Sequence, residues 1–276
     1  MYTKKEVEEK VRARVSLVIN APEYRKEFAH LCSSLNFTRE DIANAAVIYD
    51  VYLDDMNNTK YSDMAMRAAM RALFLTTGSY HQKREQTVLD YLKKIKPASV
   101  CEIGFGIPTK WVRELALNGG VRATLIDMDS SAQEFSKVSL DHFDVNEMAG
   151  NYINYETMNM DDLQYPGDFD VYVMMDSIEH TKDPTSYLRM LTAQSKETAR
   201  FIFSIPIGLV GNLNEDFHYI EWATDDAAKQ WLNKAGLKII DQRKAVPNPE
   251  VDLFIHSLNK SFHNLLLLCE KREALS

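Results

Sequence analysis

The chain has 276 residues, 45% of them apolar and 26% charged, the balance of a globular protein with a core of ordinary size. Forty acidic against thirty-two basic residues give a net charge of −8, and the basic ones are scattered singly and in pairs, which disfavours a nucleic-acid partner. Cys32, Cys101 and Cys269 lie far apart, with no metal-finger spacing, and no apolar leader or membrane-length run is present. The expectation is a cytoplasmic protein with reduced thiols, no membrane association and no assigned metal.

Up to about residue 84 the pattern is helical, with almost no strand signal. A mixed-charge helix is predicted over 3–18, with Pro22 in or near the break after it. Thr38 followed by Asp41 resembles a capping pair that opens a second helix through Ala43, Ala46, Val47 and Tyr49. Residues 61–76 place Ala, Met and Leu at helical spacing, with Gly78 as the stop. Residues 1–84 thus read as an all-helical cap. Tyr49, Tyr52, Asp54, Asp55, Tyr61, Tyr80 and His81 are its candidate pocket residues, although aromatics at such spacing are more often core.

Residues 85–276 alternate. A helix at 84–94 precedes a strand at Ser99–Ile103, and a helix at 109–118 closes on Gly119-Gly120. Strands follow at Arg122–Ile126, Asn154–Met158, Asp170–Met175 and Arg200–Ile205, with helices at 130–139, 184–195 and 224–235. The last two strands, Leu237–Arg243 and His263–Lys271, have no helix between them, which predicts an antiparallel hairpin at the sheet edge. The fold class is α/β: a Rossmann-like, seven-stranded, mostly parallel sheet with an antiparallel last strand, plus the amino-terminal helical cap.

The first strand runs into Cys101-Glu102-Ile103-Gly104-Phe105-Gly106-Ile107-Pro108. Two glycines one residue apart allow a sharp turn and a ligand close to the backbone, at the carboxyl end of a strand, where open α/β sheets bind ligands. A dinucleotide site would want a third glycine where Thr109 stands, and no Gly-Lys-Ser/Thr follows for a P-loop. Asp127, in Ile126-Asp127-Met128, lies about twenty residues on, at the end of the second strand, where an acid takes ribose hydroxyls. Ribose without pyrophosphate points to a nucleoside such as S-adenosylmethionine. Taken singly, the glycines are a tight turn and Asp127 a helix cap; together they favour the nucleoside.

These residues resemble the class I S-adenosylmethionine-dependent methyltransferases over residues 85–276. Glu102-Ile103-Gly104-Phe105-Gly106 is similar to the family's first motif, and Asp127 with Met128 to its ribose-binding acid and the residue after it. Asn159-Met160-Asp161 stands where the family holds the adenine, with Asn159 at a position where Asp is commoner. The stretch Asp176-Ser177-Ile178-Glu179-His180 resembles the Glu-His segment of ubiquinone-biosynthesis O-methyltransferases and their small-molecule relatives. The resemblance implies S-adenosylmethionine as cofactor, a small-molecule acceptor, a place for Asp176 near the cofactor amine, and helices that cover the substrate and contribute to a homodimer.

Methyl transfer from a sulfonium needs alignment and exclusion of water, plus a base when the acceptor arrives protonated. His180 is the candidate base, with Glu179 beside it and His218 as a second candidate on the loop after the fifth strand. A cation held by Asp176, Glu179 and His180 ranks below both that role and a simple bracing role. Transfer or cyclisation of the cofactor's 3-amino-3-carboxypropyl arm, with release of methylthioadenosine, is the alternative chemistry. A catalytically silent partner subunit and a dehydrogenase are more distant readings.

Overall fold

The computed structural model describes residues 3–52, 62–76, 79–143, 152–208, 218–248, 252 and 262–272. Helix α1 (Lys4–Asn20) opens on a capping box between Thr3 and Glu6 and buries Val7, Val11, Val15 and Ile19, one stripe at four-residue spacing. Helix α2 (Arg25–Leu35) ends on left-handed Asn36, and α3 (Arg39–Val51) starts on the Thr38–Asp41 capping box that the sequence predicts. Helix α4 (Asp63–Phe74) buries Ala65, Ala68, Ala69 and Ala72, and these small side chains let the neighbouring helices pack closely. It ends at Phe74, before Gly78, which lies outside the described residues. Inside this bundle Arg71 makes a two-pronged pair with Glu27, at 2.8 and 3.2 Å, with both side chains buried.

Helix α5 (Tyr80–Ile95) is capped by Ser79 and packs on the sheet. It runs unbroken through residues 84 and 85, so the boundary drawn from the sequence falls inside a continuous helix. The sheet consists of β1 (Ser99–Ile103), β2 (Arg122–Asp127), β3 (Ile153–Thr157), β4 (Val171–Met175), β5 (Arg200–Ile207), β6 (Leu237–Ala245) and β7 (His263–Lys271), in the order β3-β2-β1-β4-β5-β7-β6. Strands β1 to β5 pair in parallel, and β7 lies antiparallel between β5 and β6. The predicted hairpin is present, with β7 as its inner strand. Its Leu265–Leu268 run is buried on both faces, whereas β6 is mixed and forms the edge. Strand β3 is polar because it is the other edge.

Helices α6 (Ser130–Asp141), α7 (Pro184–Gln194) and α8 (Asp225–Lys234) follow β2, β4 and β5. The helix predicted at 109–118 is a π-helical segment at Val112–Leu117, with Trp111 anchored at its start by a hydrogen bond to Glu102. Strand order reverses between β1 and β4, so the crevice of this sheet opens at their carboxyl ends.

Candidate active site

The glycine loop leaves β1 in that crevice. Gly104 and Gly106 have φ of +71° and +58°. At Gly104 the need for glycine is absolute, because an added Cβ would stand 2.4 Å from the Cβ of Ser177. Ser177 Oγ donates to the Ile103 carbonyl at 2.8 Å, so the turns after β1 and β4 are pressed together. The amide of Gly104 donates to Ile126 O at 2.7 Å and that of Gly106 to Asp127 Oδ2 at 3.0 Å, which ties the loop to the end of β2.

Asp127 receives the Gly106 amide on one oxygen and the Asp129 amide on the other, at 3.0 and 2.9 Å. Each carboxylate oxygen can accept twice, so lone pairs remain on both for a pair of ribose hydroxyls. Met128 beside it is 68% exposed, an apolar surface at the place where an adenine face would rest. Asn159 Oδ1 accepts the Asp161 amide at 3.0 Å, capping the 3₁₀ turn at Met160–Asp162. Asp161 Oδ1 in turn accepts the Lys182 amide at 2.8 Å, and Thr181 Oγ1 lies 3.3 Å from Met160 Sδ. The three adenine candidates are thus joined to the turn that follows β4, each half-buried. A loop with room for a backbone-hugging ligand, a carboxylate with free lone pairs and an exposed methionine together suit a nucleoside.

Glu102 of the first motif and Asp176 of the Glu-His segment both have carboxylates engaged by protein side chains. Glu102 is 1% exposed and receives Trp111 Nε1–H at 2.6 Å and Thr109 Oγ1–H at 3.1 Å. It braces the base of the loop from beneath, and burial pushes its carboxyl up to about 8 against those two hydrogen bonds. Asp176 has a left-handed φ of +49°. Its carboxylate is taken by the Arg84 guanidinium, by Ser204 Oγ at 2.6 Å and by Asn264 Nδ2 at 2.5 Å. Its partners are therefore protein side chains from α5, β5 and β7.

Past Ser177, the 3₁₀ turn Ile178–His180 carries Glu179 and His180. Glu179 is 1% exposed, one of its carboxylate oxygens has no hydrogen-bond partner among the described residues, and burial pushes its carboxyl up to about 8. The Tyr219 amide donates to Glu179 O at 2.8 Å, which stitches the segment after β5 to this turn and delivers His218. The His180 and His218 rings meet edge to face, 4.7 Å apart, and one donor atom from each of Glu179, His180 and His218 lies within 4.8 Å of the others. All three catalytic candidates are thus brought together. In the helical cap, Tyr80 and His81 are buried at the start of α5, where His81 stacks on Phe74 at 4.2 Å; Asp54, Asp55 and Tyr61 lie outside the described residues.

Arg67 of α4 is the residue that sequence reading misses. Its guanidinium donates to Gly106 O at 2.6 Å and to Ser131 Oγ at 3.1 and 3.2 Å, and it pairs with Asp129. A helix of the cap therefore grips the glycine loop and the start of α6 at once. The available signal is an arginine within an Ala/Met run, one turn before Arg71. Charges on an apolar face require partners.

Residues 78–242 match the family model described as methyltransferase domain. No curated protein matches the chain. Among solved structures, the mitomycin 7-O-methyltransferase MmcR superposes with a TM-score of 0.56 at 13% identity, over 98% of this chain and 76% of that one. The [4+2]-cyclase SpnF superposes with a TM-score of 0.54 at 11% identity, over 72% and 84%. The Burkholderia thailandensis 1,6-didemethyltoxoflavin-N1-methyltransferase, holding its acceptor and S-adenosylhomocysteine, does so at 0.52 and 16%, over 83% and 89%. At such identities these structures speak for the fold. The family model spans more than half of the chain: it belongs to the methyltransferase-domain family and is an S-adenosylmethionine-dependent transferase. Among the described residues no helix is long and apolar enough to cross a membrane.

Replacing Arg67 with Ala should free the loop and weaken S-adenosylhomocysteine binding by about 1–2 kcal/mol, roughly a five- to thirtyfold rise in Kd. Lys at that position should recover part of the loss; calorimetry reads both. Glu102 makes a separate prediction. Its folded-state carboxyl titrates near 8 against an ordinary 4.5, so the folded chain holds a proton that the unfolded chain has lost. Its contribution therefore falls as pH rises from about 4.5 to about 8 and levels off above. Thermal melts across that range should show a downward slope in the parent that is flatter in Glu102→Gln.

Proposed function

We propose that the chain transfers the methyl group of S-adenosylmethionine to an oxygen or nitrogen of a small-molecule acceptor held between the helical cap, residues 1–84, and the carboxyl ends of β4 and β5. The observation that carries this reading is the convergence of Glu179, His180 and His218 beside the turn that packs on Gly104. The mitomycin and toxoflavin enzymes, similar in fold, are by name an O- and an N-methyltransferase.

Bound S-adenosylmethionine supplies an electrophilic methyl carbon on a sulfonium. Gly104 and Gly106 give the methionyl part access to the backbone, and Asp127 accepts the ribose hydroxyls on its remaining lone pairs. Met128 covers one side of the adenine, while Asn159, Met160 and Asp161 border it. Glu102 keeps the loop in shape, and Asp176, neutralised by Arg84, holds the end of β4 against β5 and β7. The acceptor meets the Glu179–His180–His218 group, where its proton is drawn off as the new bond forms. Alignment and removal of that proton are the two contributions such a transfer needs from the protein.

Asp127→Ala should weaken S-adenosylhomocysteine binding by about 2–4 kcal/mol, the cost of two charge-assisted hydrogen bonds together with a loosened loop. Unchanged affinity in calorimetry removes the ribose assignment. His180→Ala should lower kcat by roughly a hundredfold or more with little change in cofactor affinity. The assay is release of S-adenosylhomocysteine from acceptors found by screening hydroxyl- and amine-bearing compounds. Equal losses in turnover and affinity would reduce His180 to a brace. Methylthioadenosine as the product would instead favour transfer of the 3-amino-3-carboxypropyl arm.

A further inference from the structure

We propose that the junction of α2, α6 and the π-helical segment after the glycine loop binds a small carboxylate, anchored on the guanidinium of Arg113. Arg113 Nε and Nη2 are both buried and have no hydrogen-bond partner among the described residues. Their N–H groups form one edge of the planar guanidinium, the edge whose parallel bonds match the two oxygens of a carboxylate. Buried charged donors are ordinarily paired, so an empty fork of this kind asks for an acceptor. The guanidinium carbon lies 5.5 Å over the Phe143 ring. That ring covers one face and leaves the edge as the direction of approach.

A second observation points to the same ligand. His30 Nε2, on α2, is also buried without a partner among the described residues. Its ring stands 5.7 Å from that of His142, and His142 stands 5.5 Å from Phe143, so one run of rings joins His30 to Arg113. The neighbouring acids do not answer the fork. Both oxygens of Glu27 are taken by Arg71, at 2.8 and 3.2 Å. Glu85 Oε2 accepts the Lys110 amide at 3.0 Å, and burial pushes its carboxyl up, toward the neutral form. Burial, with Arg71 nearby, pulls the Arg113 guanidinium down from its ordinary value, as befits a cation short of counter-charge. A carboxylate brings one negative charge to this junction. A phosphate brings up to two, against Glu27 and Glu85, and is disfavoured.

None of these residues takes part in the transfer described above, but two are tied to its glycine loop. Arg113 comes two residues after Trp111, whose indole donates to Glu102 beneath that loop. Arg71, within electrostatic reach of Arg113, lies one turn beyond Arg67, which holds the Gly106 carbonyl. A carboxylate on Arg113 therefore steadies both supports of the loop, and its binding is linked to that of the cofactor, each tightening the other by the same factor. This link, unlike the site itself, rests on the cofactor placement proposed above. The ligand is thus a monocarboxylate that acts as an effector and is not consumed.

The test uses the full chain labelled with ¹⁵N, with the Arg113 Nε–H resonance identified by its absence from Arg113→Lys. Sodium acetate replaces sodium chloride stepwise at constant ionic strength. The expected result is a saturable shift of that resonance and a rise in melting temperature that chloride does not give. Arg113→Lys keeps the charge but loses the fork, and its melting temperature should call for roughly tenfold or more acetate. Arg113→Met should lose the response altogether and, without acetate, melt no lower than the parent, because it removes a buried cation that nothing answers. Should Arg113→Met fail to fold, Arg113→Lys decides. In the parent alone, acetate should lower the Kd for S-adenosylhomocysteine by a factor of roughly two or more in calorimetry. An unmoved Nε–H resonance, or variants that respond to acetate as the parent does, overturns the site. A saturable shift with inorganic phosphate and none with acetate overturns the carboxylate assignment. A shift with unchanged S-adenosylhomocysteine affinity overturns the link to the loop and leaves the site standing. Absent S-adenosylhomocysteine binding in the parent defeats the cofactor placement, and the acetate shift then judges the site by itself.

Discussion

The contact between Gly104 and Ser177 is the constraint on which the rest of the site depends. No side chain fits between these two turns, and the hydrogen bond from Ser177 to the Ile103 carbonyl keeps them closed. One turn belongs to the glycine loop after β1; the other leads at once into Glu179 and His180. Their separation is therefore set by the close approach of Gly104 to the short Ser177 side chain, not by long flexible ones. That is the kind of rigidity that positioning chemistry needs, since a misplacement of about 1 Å can cost roughly a hundredfold in rate. Any residue other than glycine at 104 would meet both the steric clash and the positive φ.

The helical cap enters this arrangement through charge. Arg67 and Arg71 lie one turn apart on α4 and both point inward. Arg71 is answered inside the bundle by Glu27, whereas Arg67 is answered by the Gly106 carbonyl, Asp129 and Ser131 in the sheet domain. The first pair holds helices together; the second holds the bundle to the glycine loop. Removing these helices would thus strip the glycine loop of a clamp. Ile107 and Phe135 continue the bundle's apolar core from the sheet side, so the junction is packed as well as charged.

Local features were legible in the chain. The alternation of strand and helix, the glycine loop, the capping pair Thr38–Asp41 and the helix-free final hairpin all arise from neighbours in sequence. What escaped depends on partners far apart. Arg67 reaches across 39 residues to Gly106 and 62 to Asp129. Asp176 is claimed by Asn264, 88 residues further on, and by Arg84, 92 residues earlier. Glu102 is expected at the cofactor by resemblance to the first motif, and its carboxylate is engaged under the loop by Thr109 and Trp111, seven and nine residues on. The π-helical winding at Val112–Leu117 leaves a sequence pattern indistinguishable from that of an α-helix.

Asp176 and Glu179 differ in how their carboxyls are answered. Two carboxylates stand three residues apart at the end of β4, and a priori either could serve the reaction. Arg84 sits on one oxygen of the first, over the Phe74 and Tyr80 rings, while Ser204 and Asn264 both donate to its other oxygen. The left-handed backbone of Asp176 then lets the chain swing away from the sheet into the 3₁₀ turn. Glu179 comes out of that turn buried, with an oxygen unanswered and two imidazoles for neighbours. The network that answers Asp176 thus leaves the buried acid at Glu179, whose carboxyl burial pushes up to about 8, beside the imidazoles of His180 and His218.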